Sequence, residues 1–328
     1  MEPQVLIIAE HDGSAPDPTT LELIAGGSQI AAEKSWKLGV MVLGHAMGTV
    51  VEALRNSGVD AVYALDDPAL ATFNAGTHVA AIAAALSKDS PRVILLGHSY
   101  LGIEMASTIA VKLGAPLWSN CKTIKAGADG FVVTRPMCGG AYVSTLEITS
   151  ATCNVFTVQR GGLSAQGLTS KNAQVSTLAM PADADAAKIK VVGETKATFA
   201  EDITQADLLV SVGRGIGQQS QLDAFRDLAK ALGGSLSASR PIVDSGWLPV
   251  DNQVGLSGRT VRPKVYLAFG ISGSAQHMAG MRDSKVIIAI NQDANAPIFQ
   301  IAHYGIVADL FQILPALMDA AKESAAAK

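Results

Sequence analysis

The stretch ADLLVSVGRGIG (206–217) decides the fold, because a short apolar run leads directly into a turn with three glycines. An amphipathic helix is predicted after it, over Gln221–Leu232. Apolar strands that alternate with glycine turns and helices are typical of βαβ units, which build parallel sheets covered by helices. Further strands are predicted at Ser235–Ser239, Lys264–Phe269 and Val286–Ile290, and a last helix at Ile306–Ala321. The sequence therefore predicts a small doubly wound domain in this half of the chain.

The N-terminal half shows the same alternation. Strands are predicted at Val5–Ala9, Leu38–Leu43, Ala61–Leu65 and Arg92–Gly97, and a helix at Gly102–Leu113. Between Phe131 and Val158 the residues favour hairpin strands added to the sheet, and Met180–Ala200 loses all periodicity, which indicates a linker. At 328 residues the chain is about twice the length of an average domain. We therefore predict an α/β protein of two Rossmann-like doubly wound domains with mostly parallel sheets, at residues 1–190 and 204–328.

Composition and charge exclude several classes of protein. Hydrophobic residues make up 48% of the chain and charged residues 16%, which excludes a disordered chain or a coiled coil. The net charge is −4 and no stretch gathers Lys and Arg with aromatic residues, so nucleic acid is not an expected partner. Val265–Met281, an uncharged stretch of 17 residues, is too short and too polar to cross a membrane.

The cysteines and histidines predict neither a disulfide framework nor a metal site. Cys121, Cys138 and Cys153 are an odd set without CxxC spacing, and the histidines have no ligand spacing such as HExxH. Free cysteines fit a reducing compartment, and the N-terminal residues do not resemble a leader peptide. The expected location is the cytoplasm.

The glycine turn at residues 213–217 resembles a dinucleotide fingerprint but departs from it. The spacing is Gly213-x-Gly215-x-x-Gln218, with Gln at the place where Gly or Ala packs the helix against the strand. An NAD site also needs an acidic residue at the end of the next strand, where this chain has Ser239-Arg240. Both departures disfavour an NAD-dependent oxidoreductase, which stays open as an alternative.

Polar residues follow several predicted strands of the C-terminal half. They are Ser239-Arg240, the run GISGSAQH (270–277), Asn291, and Asp309-Leu310. In an open parallel sheet, ligands bind outside the carboxyl ends of the strands, and small-residue turns leave backbone N–H groups free for anions. Glycines in residues 253–260 also let the backbone approach a ligand closely. We therefore predict a binding crevice for an anionic ligand at this edge.

Four blocks of sequence together resemble the electron transfer flavoprotein alpha subunit, in family order and at family spacing. The blocks are ASRPIVDSGWLP (238–249), QVGLSGRTV (253–261), GISGSAQHMAGM (270–281) and APIFQIAHYGIVADLF (296–311). The resemblance extends over residues 206–317 and is looser in the N-terminal half, at AEHDG (9–13) and LLGHS (95–99). It implies that the C-terminal domain binds one FAD.

The resemblance also implies which residues bind the FAD. The expected contacts are Arg214, Ser239, Arg240, Gln253, Val254, Gly255, Leu256, Ser257, Gly258, Gly270, Ser272, Gly273, Ser274, Ala275, Gln276, His277, Asn291, Asp309 and Leu310. Residues 254–257 are expected against the flavin ring, and Asn291, Asp309 and Leu310 against the adenosine half. Leu256 stands where the family usually has Gln, and Ser257 where many members have Thr, so the redox tuning of the flavin is expected to differ.

The implied function is that of an electron carrier rather than a catalyst of bond chemistry. The chain would pair with a beta subunit that holds AMP or a second FAD, accept electrons from flavin dehydrogenases of the acyl-CoA or amine type, and pass them to a membrane quinone oxidoreductase. Positive charge from Arg240, His277 and the helix after Gly270 would stabilise an anionic semiquinone. The linker at Met180–Ala200 is expected to act as a hinge.

Two further alternatives stay open at this point. Within the family, the chain is also consistent with the alpha subunit of an electron-bifurcating flavoprotein that oxidises NADH. From another class, an adenine-nucleotide-binding regulatory module would bind its ligand through the N-terminal half and would show no visible absorption.

Overall fold

The computed structural model describes residues 3–87, 90–140, 142–149, 152–163, 168–181, 189–193 and 202–326. The chain divides into two compact units: residues 1–137 and 142–195 form the N-terminal unit, and residues 138–141 and 196–328 form the C-terminal unit. Most of the predicted linker, residues 182–188 and 194–200, lies outside the described residues.

The N-terminal unit is built on a seven-stranded parallel sheet. Its strands are β1 (Val5–Ile8), β2 (Leu38–Gly44), β3 (Ala61–Asp66), β4 (Val93–Gly97), β5 (Leu117–Cys121), β9 (Asn154–Val158) and β10 (Gln174–Thr177), in the order β10-β3-β2-β1-β4-β9-β5. Its helices are α1 (Pro18–Lys34), α2 (Gly48–Arg55), α3 (Ala75–Leu86) and α4 (Tyr100–Leu113). Every residue of β1, β2, β4 and β9 is buried, as parallel strands covered on both faces require.

The prediction for residues 131–158 is corrected by the structure. Strands β7 (Gly130–Met137) and β8 (Tyr142–Thr149) do form a hairpin, but they join β6 (Thr123–Ala126) in a separate antiparallel sheet. β9 instead runs parallel to β4 and β5, inside the large sheet. Every residue of its sequence NVFTV is buried, so β9 lies inside the sheet rather than in an exposed hairpin.

The C-terminal unit is a five-stranded parallel sheet flanked by helices. The strands are β11 (Leu208–Val212), β12 (Ser235–Ala238), β13 (Val265–Phe269), β14 (Val286–Asn291) and β15 (Tyr304–Val307), in the order β12-β11-β13-β14-β15. The helices are α5 (Leu222–Ala231), α6 (Arg240–Asp244), α7 (Ala275–Ala279) and α8 (Leu310–Ala326). Ile306, predicted as the start of the last helix, lies in β15 instead, paired with Ile290 of β14.

Alternation along the strands gives this sheet a core on each face. Val210, Leu236 and Phe269 pack beneath α5 and α8, where the rings of Phe225 and Phe269 lie 5.1 Å apart. On the other face, Tyr266 and Ala268 pack against the segments that follow β13 and β14. The chain crosses from β12 over β11 to β13, which places the topological switch point between β11 and β13.

The α/β class predicted from the sequence is confirmed in both units. Within the described ranges, no helix combines the length and the apolar composition that crossing a membrane requires.

Candidate functional site

Glycines hold the two turns at the switch point in direct backbone contact. The Gly213 N–H donates to the Phe269 carbonyl at 2.8 Å, and the Gly215 N–H donates to the Gly270 carbonyl at 3.1 Å. A Cβ on Gly213 would lie 2.4 Å from the Gly270 carbonyl oxygen, closer than any real Cβ contact. Because these N–H groups are already bonded, an anion at this turn would depend on the side chain of Arg214, which is exposed at its start.

The turn after β11 does not open into a helix as a dinucleotide fingerprint does. Arg214–Ile216 forms one 3-10 turn, and α5 begins only at Leu222. A fingerprint places the pyrophosphate on the N-terminus of the helix that follows the glycines directly. This geometry, together with Ser239-Arg240 at the end of β12, disfavours the NAD alternative.

The segment after β13 offers free backbone donors. Within the described part of the chain, the N–H groups of residues 272–276 donate to no protein acceptor, and Ser272, Ser274 and Gln276 are exposed. Gly273 braces the segment at φ +87°, and a Cβ there would lie 2.3 Å from the Ile298 nitrogen. Successive free N–H groups in a small-residue turn form a concavity for anions. Helix α7 begins five residues after Gly270 and has only five residues itself, so the positive charge expected from its dipole is small.

The loop over residues 253–259 spans the gap between β12 and α7. The Val254 N–H donates to the Ala238 carbonyl at 2.9 Å, and the Leu256 N–H donates to the Gln276 carbonyl at 2.8 Å. Gln253 is buried, and its Nε2 donates to the Ser257 Oγ at 3.1 Å. Leu256, by contrast, is 62% exposed, so its side chain lies on the solvent side of the loop.

These segments enclose a cleft of about 310 Å³ at the carboxyl ends of the strands. It brings together ten of the predicted site residues: Ser239, Arg240, Gln253, Val254, Gly255, Leu256, Ser257, Ser274, Gln276 and His277. The other predicted residues lie outside its lining: Arg214, Gly258, Gly270, Ser272, Gly273, Ala275, Asn291, Asp309 and Leu310. A larger, shallow depression borders Asp202 and Gly234, at the amino ends of β11 and β12, where parallel sheets do not usually bind ligands.

Arg240 is the cationic side chain in the lining of this cleft. It begins α6, is largely exposed, and its Nε donates to the Asp244 carboxylate at 3.2 Å. An exposed ion pair of this kind contributes little to stability. Arg240 is therefore free to serve a ligand without a large cost to the fold.

His277 is neutral, which corrects the expectation that it supplies positive charge. The side chain is buried, and this burial lowers its pKa to about 4, although the nearby Val254 carbonyl favours the protonated form. Its Nε2 lies 3.0 Å from the Tyr266 hydroxyl. Its Nδ1 is buried and makes no hydrogen bond of normal geometry to a described residue. His277 thus brings no positive charge to the cleft.

The three residues expected near an adenosine group are already engaged within the protein. The Asn291 Nδ2 donates to the Ile271 carbonyl at 3.0 Å, and the Asp309 carboxylate accepts from the Phe311 N–H at 2.8 Å. The side chain of Leu310 is 2% exposed and belongs to the core. Asp309 precedes α8 rather than lying inside it, and a contact through Leu310 would have to use its backbone.

A buried group of hydroxyls behind His277 was not predicted from the sequence. Tyr266 is fully buried, and its Oη lies 2.7 Å from the Ser211 Oγ, while Ser237 is equally buried on the neighbouring strand. The only signal in the sequence is the presence of hydroxyl residues in short apolar strands, one each in LLVSV and VYLAF and two in SLSA.

The switch point of the N-terminal unit is occupied by the protein's own carboxylate. Glu10 follows β1, and its carboxylate accepts from the Ser99 Oγ at 2.6 Å, beside the end of β4. Burial raises the pKa of Glu10, because its carboxylate is poorly solvated. A phosphate placed here would add a second negative charge beside it. This arrangement disfavours the alternative of a nucleotide-binding regulatory module.

The fold and the site define an α/β protein with a crevice at its switch point that is held in shape by glycines. Comparison with known proteins gives the family. Residues 5–191 match the electron transfer flavoprotein domain, and residues 202–282 match the electron transfer flavoprotein FAD-binding domain. The chain belongs to the electron transfer flavoprotein family, among the alpha subunits and FixB proteins. The family predicted from the four sequence blocks is confirmed.

Individual relatives match over nearly the whole chain. Electron transfer flavoprotein subunit alpha of Thermoanaerobacterium thermosaccharolyticum is 34% identical, over 97% of this chain and 98% of the relative. Acryloyl-CoA reductase electron transfer subunit beta of Anaerotignum propionicum is 34% identical, over 93% and 92%. Protein FixB of Rhizobium meliloti is 32% identical, over 96% and 92%.

Proposed function

We propose that this chain is the FAD-binding subunit of a heterodimeric electron carrier. The observation that carries the proposal is the run of backbone N–H groups at residues 272–276, which donate to no acceptor among the described residues and belong to a segment that lines the cleft through Ser274 and Gln276. Successive unbonded N–H groups in a small-residue turn bind anions such as a pyrophosphate.

The residues present fit an FAD. The free N–H groups of residues 272–276 and the Arg214 guanidinium suit a pyrophosphate, while the backbone of residues 254–257 suits a flat ring. Asn291, Asp309 and the Leu310 backbone would border the adenosine. Bound there, FAD would supply the capacity to take up and release single electrons, and the protein would hold the ring and adjust its potential.

Electron transfer fits this cleft better than bond chemistry. Ser239, Ser257 and Ser274 are hydroxyl groups without a base, because the His277 Nε2 faces Tyr266 and Asp244 is bonded to Arg240. A nucleophile needs an adjacent base or a lowered pKa to react. We therefore propose that the protein passes electrons from flavin dehydrogenases of the acyl-CoA or amine type to a membrane quinone oxidoreductase, through an anionic one-electron state of the flavin.

The proposed partner is a beta subunit that binds AMP or a second FAD. Helix α4 offers a surface for this partner, because its Tyr100 is 77% exposed and its Val111 is 81% exposed. Large apolar side chains left in solvent favour a protein interface. The cytoplasmic location and the hinge at residues 180–200 stay predictions.

The test is co-expression with the beta-subunit candidate, followed by purification and a count of flavins and nucleotides. We expect a yellow complex in which this chain holds one FAD. A second FAD in the partner, together with NADH oxidation, would favour the bifurcating alternative. A colourless complex that takes up no added FAD would contradict the proposal, and bound NAD without visible absorption would favour the oxidoreductase.

Stepwise reduction of the purified complex tests the electron-carrier part separately. We expect a red intermediate spectrum at one electron per FAD of this chain. Direct passage from the oxidised to the fully reduced spectrum would leave the FAD site standing but would contradict single-electron transfer.

A further inference from the structure

The side chain of Gln253 is a buried amide that the proposed function does not use. It is 5% exposed, although it borders the cleft. The backbone holds the residue on both sides, because its N–H donates to the Val250 carbonyl at 3.0 Å and its carbonyl accepts from the Arg259 N–H at 2.7 Å. The position of the side chain is therefore set by the fold of the loop.

The amide of Gln253 is bonded to a hydroxyl of the same loop. Its Nε2 donates to the Ser257 Oγ at 3.1 Å, the one side-chain hydrogen bond of Gln253 within the described ranges. Ser257 is exposed, so water would satisfy its hydroxyl equally well, and the bond adds little to stability. The consequence of the bond lies in the orientation of Ser257.

The bond from Gln253 determines what the Ser257 hydroxyl can offer the cleft. An amide N–H only donates, so the Ser257 oxygen is the acceptor and its own proton points elsewhere. Neither this proton nor the Ser257 N–H is donated to an acceptor in the described part of the chain. Because Ser257 lines the cleft, it brings two free donors to the lining.

The neighbours of Ser257 leave it as the side-chain donor of residues 256–258. Leu256 is 62% exposed and apolar, and Gly258 has no side chain. A serine with an unbonded hydroxyl turns among three staggered rotamers and competes for nearby backbone groups. The bond from Gln253 selects one orientation before a ligand arrives, which lowers the entropy lost on binding.

We propose that Gln253 is a positioning residue: its amide holds the Ser257 hydroxyl in the orientation that donates a hydrogen bond into the cleft. The effect on a flavin rests on the proposed function, since the bound ring would accept that bond. Negative charge gathers on the acceptor atoms of the ring when an electron is added, so a hydrogen bond to them becomes stronger. Gln253 and Ser257 are therefore expected to act on the potential as one unit.

The first test observes the side-chain amide of Gln253 by ¹H–¹⁵N correlation of the ¹⁵N-glutamine-labelled chain in complex with its unlabelled partner. Gln253→Met identifies the signal by its loss. We expect one of the two amide protons to be shifted downfield by its hydrogen bond. This shift should be lost in Ser257→Ala and kept in Ser257→Thr, which retains the hydroxyl. A downfield shift that persists in Ser257→Ala would overturn the proposal, because the amide would then not donate to the hydroxyl.

The second test measures the flavin potential of the variants. We expect Ser257→Ala to lower the equilibrium constant for adding one electron about fivefold, the effect of losing one ordinary hydrogen bond, which corresponds to about 40 mV. Gln253→Met should give most of this effect, although it leaves the hydroxyl in place. Added to Gln253→Met, Ser257→Ala should lower the constant less than about twofold further, because residues that act as one unit are not additive. A full fivefold effect of Ser257→Ala in both backgrounds would overturn the proposal.

Two further variants separate positioning from a general effect on structure. Asn252→Leu is the matched control for Gln253→Met, because the Asn252 Nδ2 donates to the Leu236 carbonyl at 2.7 Å but Asn252 lies outside the lining of the cleft. It should leave the potential unchanged. Ser257→Thr retains a hydroxyl and should recover most of the potential lost in Ser257→Ala. Equal shifts in Gln253→Met and Asn252→Leu would assign Gln253 a merely structural role and contradict the proposal.

The two tests separate this proposal from the proposed function. If the complex binds no flavin, the proposed function fails, but the amide signal of the ligand-free complex still decides whether Gln253 holds Ser257. If Gln253→Met does not fold, the comparison of the wild-type and Ser257→Ala spectra decides it equally.

Discussion

At the scale of single residues, Gly273 shows how tightly the crevice is braced. Its φ of +87° is unfavourable for any other residue, and an added Cβ would lie 2.3 Å from the Ile298 nitrogen. Gly273→Ala should therefore lower the free energy of unfolding by about 3 kcal/mol, from backbone strain and overpacking together. Urea unfolding of the complex measures it. Gly246→Ala is the matched control, since Gly246 has φ +71° but open space around it, and should cost about 1 kcal/mol.

Arg240 gives a prediction for the redox potential rather than for stability. Because its side chain is two-thirds exposed and paired with Asp244, its charge acts on the cleft through a high dielectric. Two unit charges 4 Å apart in water interact by about 1 kcal/mol, which corresponds to about 40 mV for one electron. At an effective dielectric constant of 20 the same interaction is roughly four times as strong. Arg240→Met should lower the potential by at least the smaller amount while FAD stays bound. Arg226→Met, which removes a similar exposed pair with Asp223 on α5, should leave the potential unchanged.

His277 predicts how stability depends on pH. Its pKa is lowered by burial from 6.5 to about 4, so between these values the unfolded chain binds more protons than the folded one. The neutral side chain of His277 makes its full contribution to the free energy of unfolding above about pH 6.5. As the pH falls toward 4 that free energy decreases, by about 3 kcal/mol in total.

Unfolding free energies measured from pH 7 to pH 4 check this prediction. The decline should be shallower in His277→Gln than in the wild type. Parallel curves for the wild type and His277→Gln would contradict the prediction.

At the scale of elements, the loop over residues 253–259 depends on Gly258. A Cβ there would lie 2.4 Å from the Gln253 carbonyl, so Gly258→Ala should open the loop that borders the cleft. We expect FAD affinity to fall about tenfold, or about 1.4 kcal/mol, as measured by fluorescence titration. Gly233→Ala, at a position with φ +69° and open space at the far end of α5, should leave the affinity unchanged even if it lowers stability.

Elements with a strong pattern were predicted well, and elements set by their neighbours were not. The strands β1, β2, β4, β11, β13 and β14 are largely buried and predominantly apolar, so their sequences alone identify them. Strand β10, with sequence QVST, is largely exposed and is defined only by pairing with β3. Likewise, Ile306 and Val307 have no strand signature of their own, and their conformation comes from pairing with β14.

The site divides in the same way. Ten of the residues taken from the family resemblance line one cleft, because glycines and polar strand ends lie in recognisable blocks of the sequence. It did not reveal that His277 is buried and neutral, since burial is a property of packing rather than of composition. Tyr266 was missed because one hydroxyl in VYLAF is indistinguishable from an ordinary strand residue until its contacts are known.

At the scale of the whole molecule, the tryptophans report on the two units separately. Trp36 and Trp118 pack in the N-terminal unit, and Trp247 packs in the C-terminal unit. In the complex, FAD at one hundred times its dissociation constant should stabilise the C-terminal unit by about 2.7 kcal/mol. A Trp36→Phe, Trp118→Phe chain should therefore show a later fluorescence transition with FAD. The Trp247→Phe chain is the control, because its tryptophans report only on the N-terminal unit. An equal shift of the fluorescence transition in both chains would assign the binding to neither unit alone.

The carboxylate of Glu10 that fills the first switch point affects how ligand stoichiometry is interpreted. Calorimetric titration of this chain should saturate at a single equivalent of cofactor, although each of its two parallel sheets has a topological switch point. Any additional nucleotide recovered from a purified preparation would then be attributed to the companion polypeptide. A chemist who wished to install a second cofactor in this scaffold would have to begin by neutralising that acid.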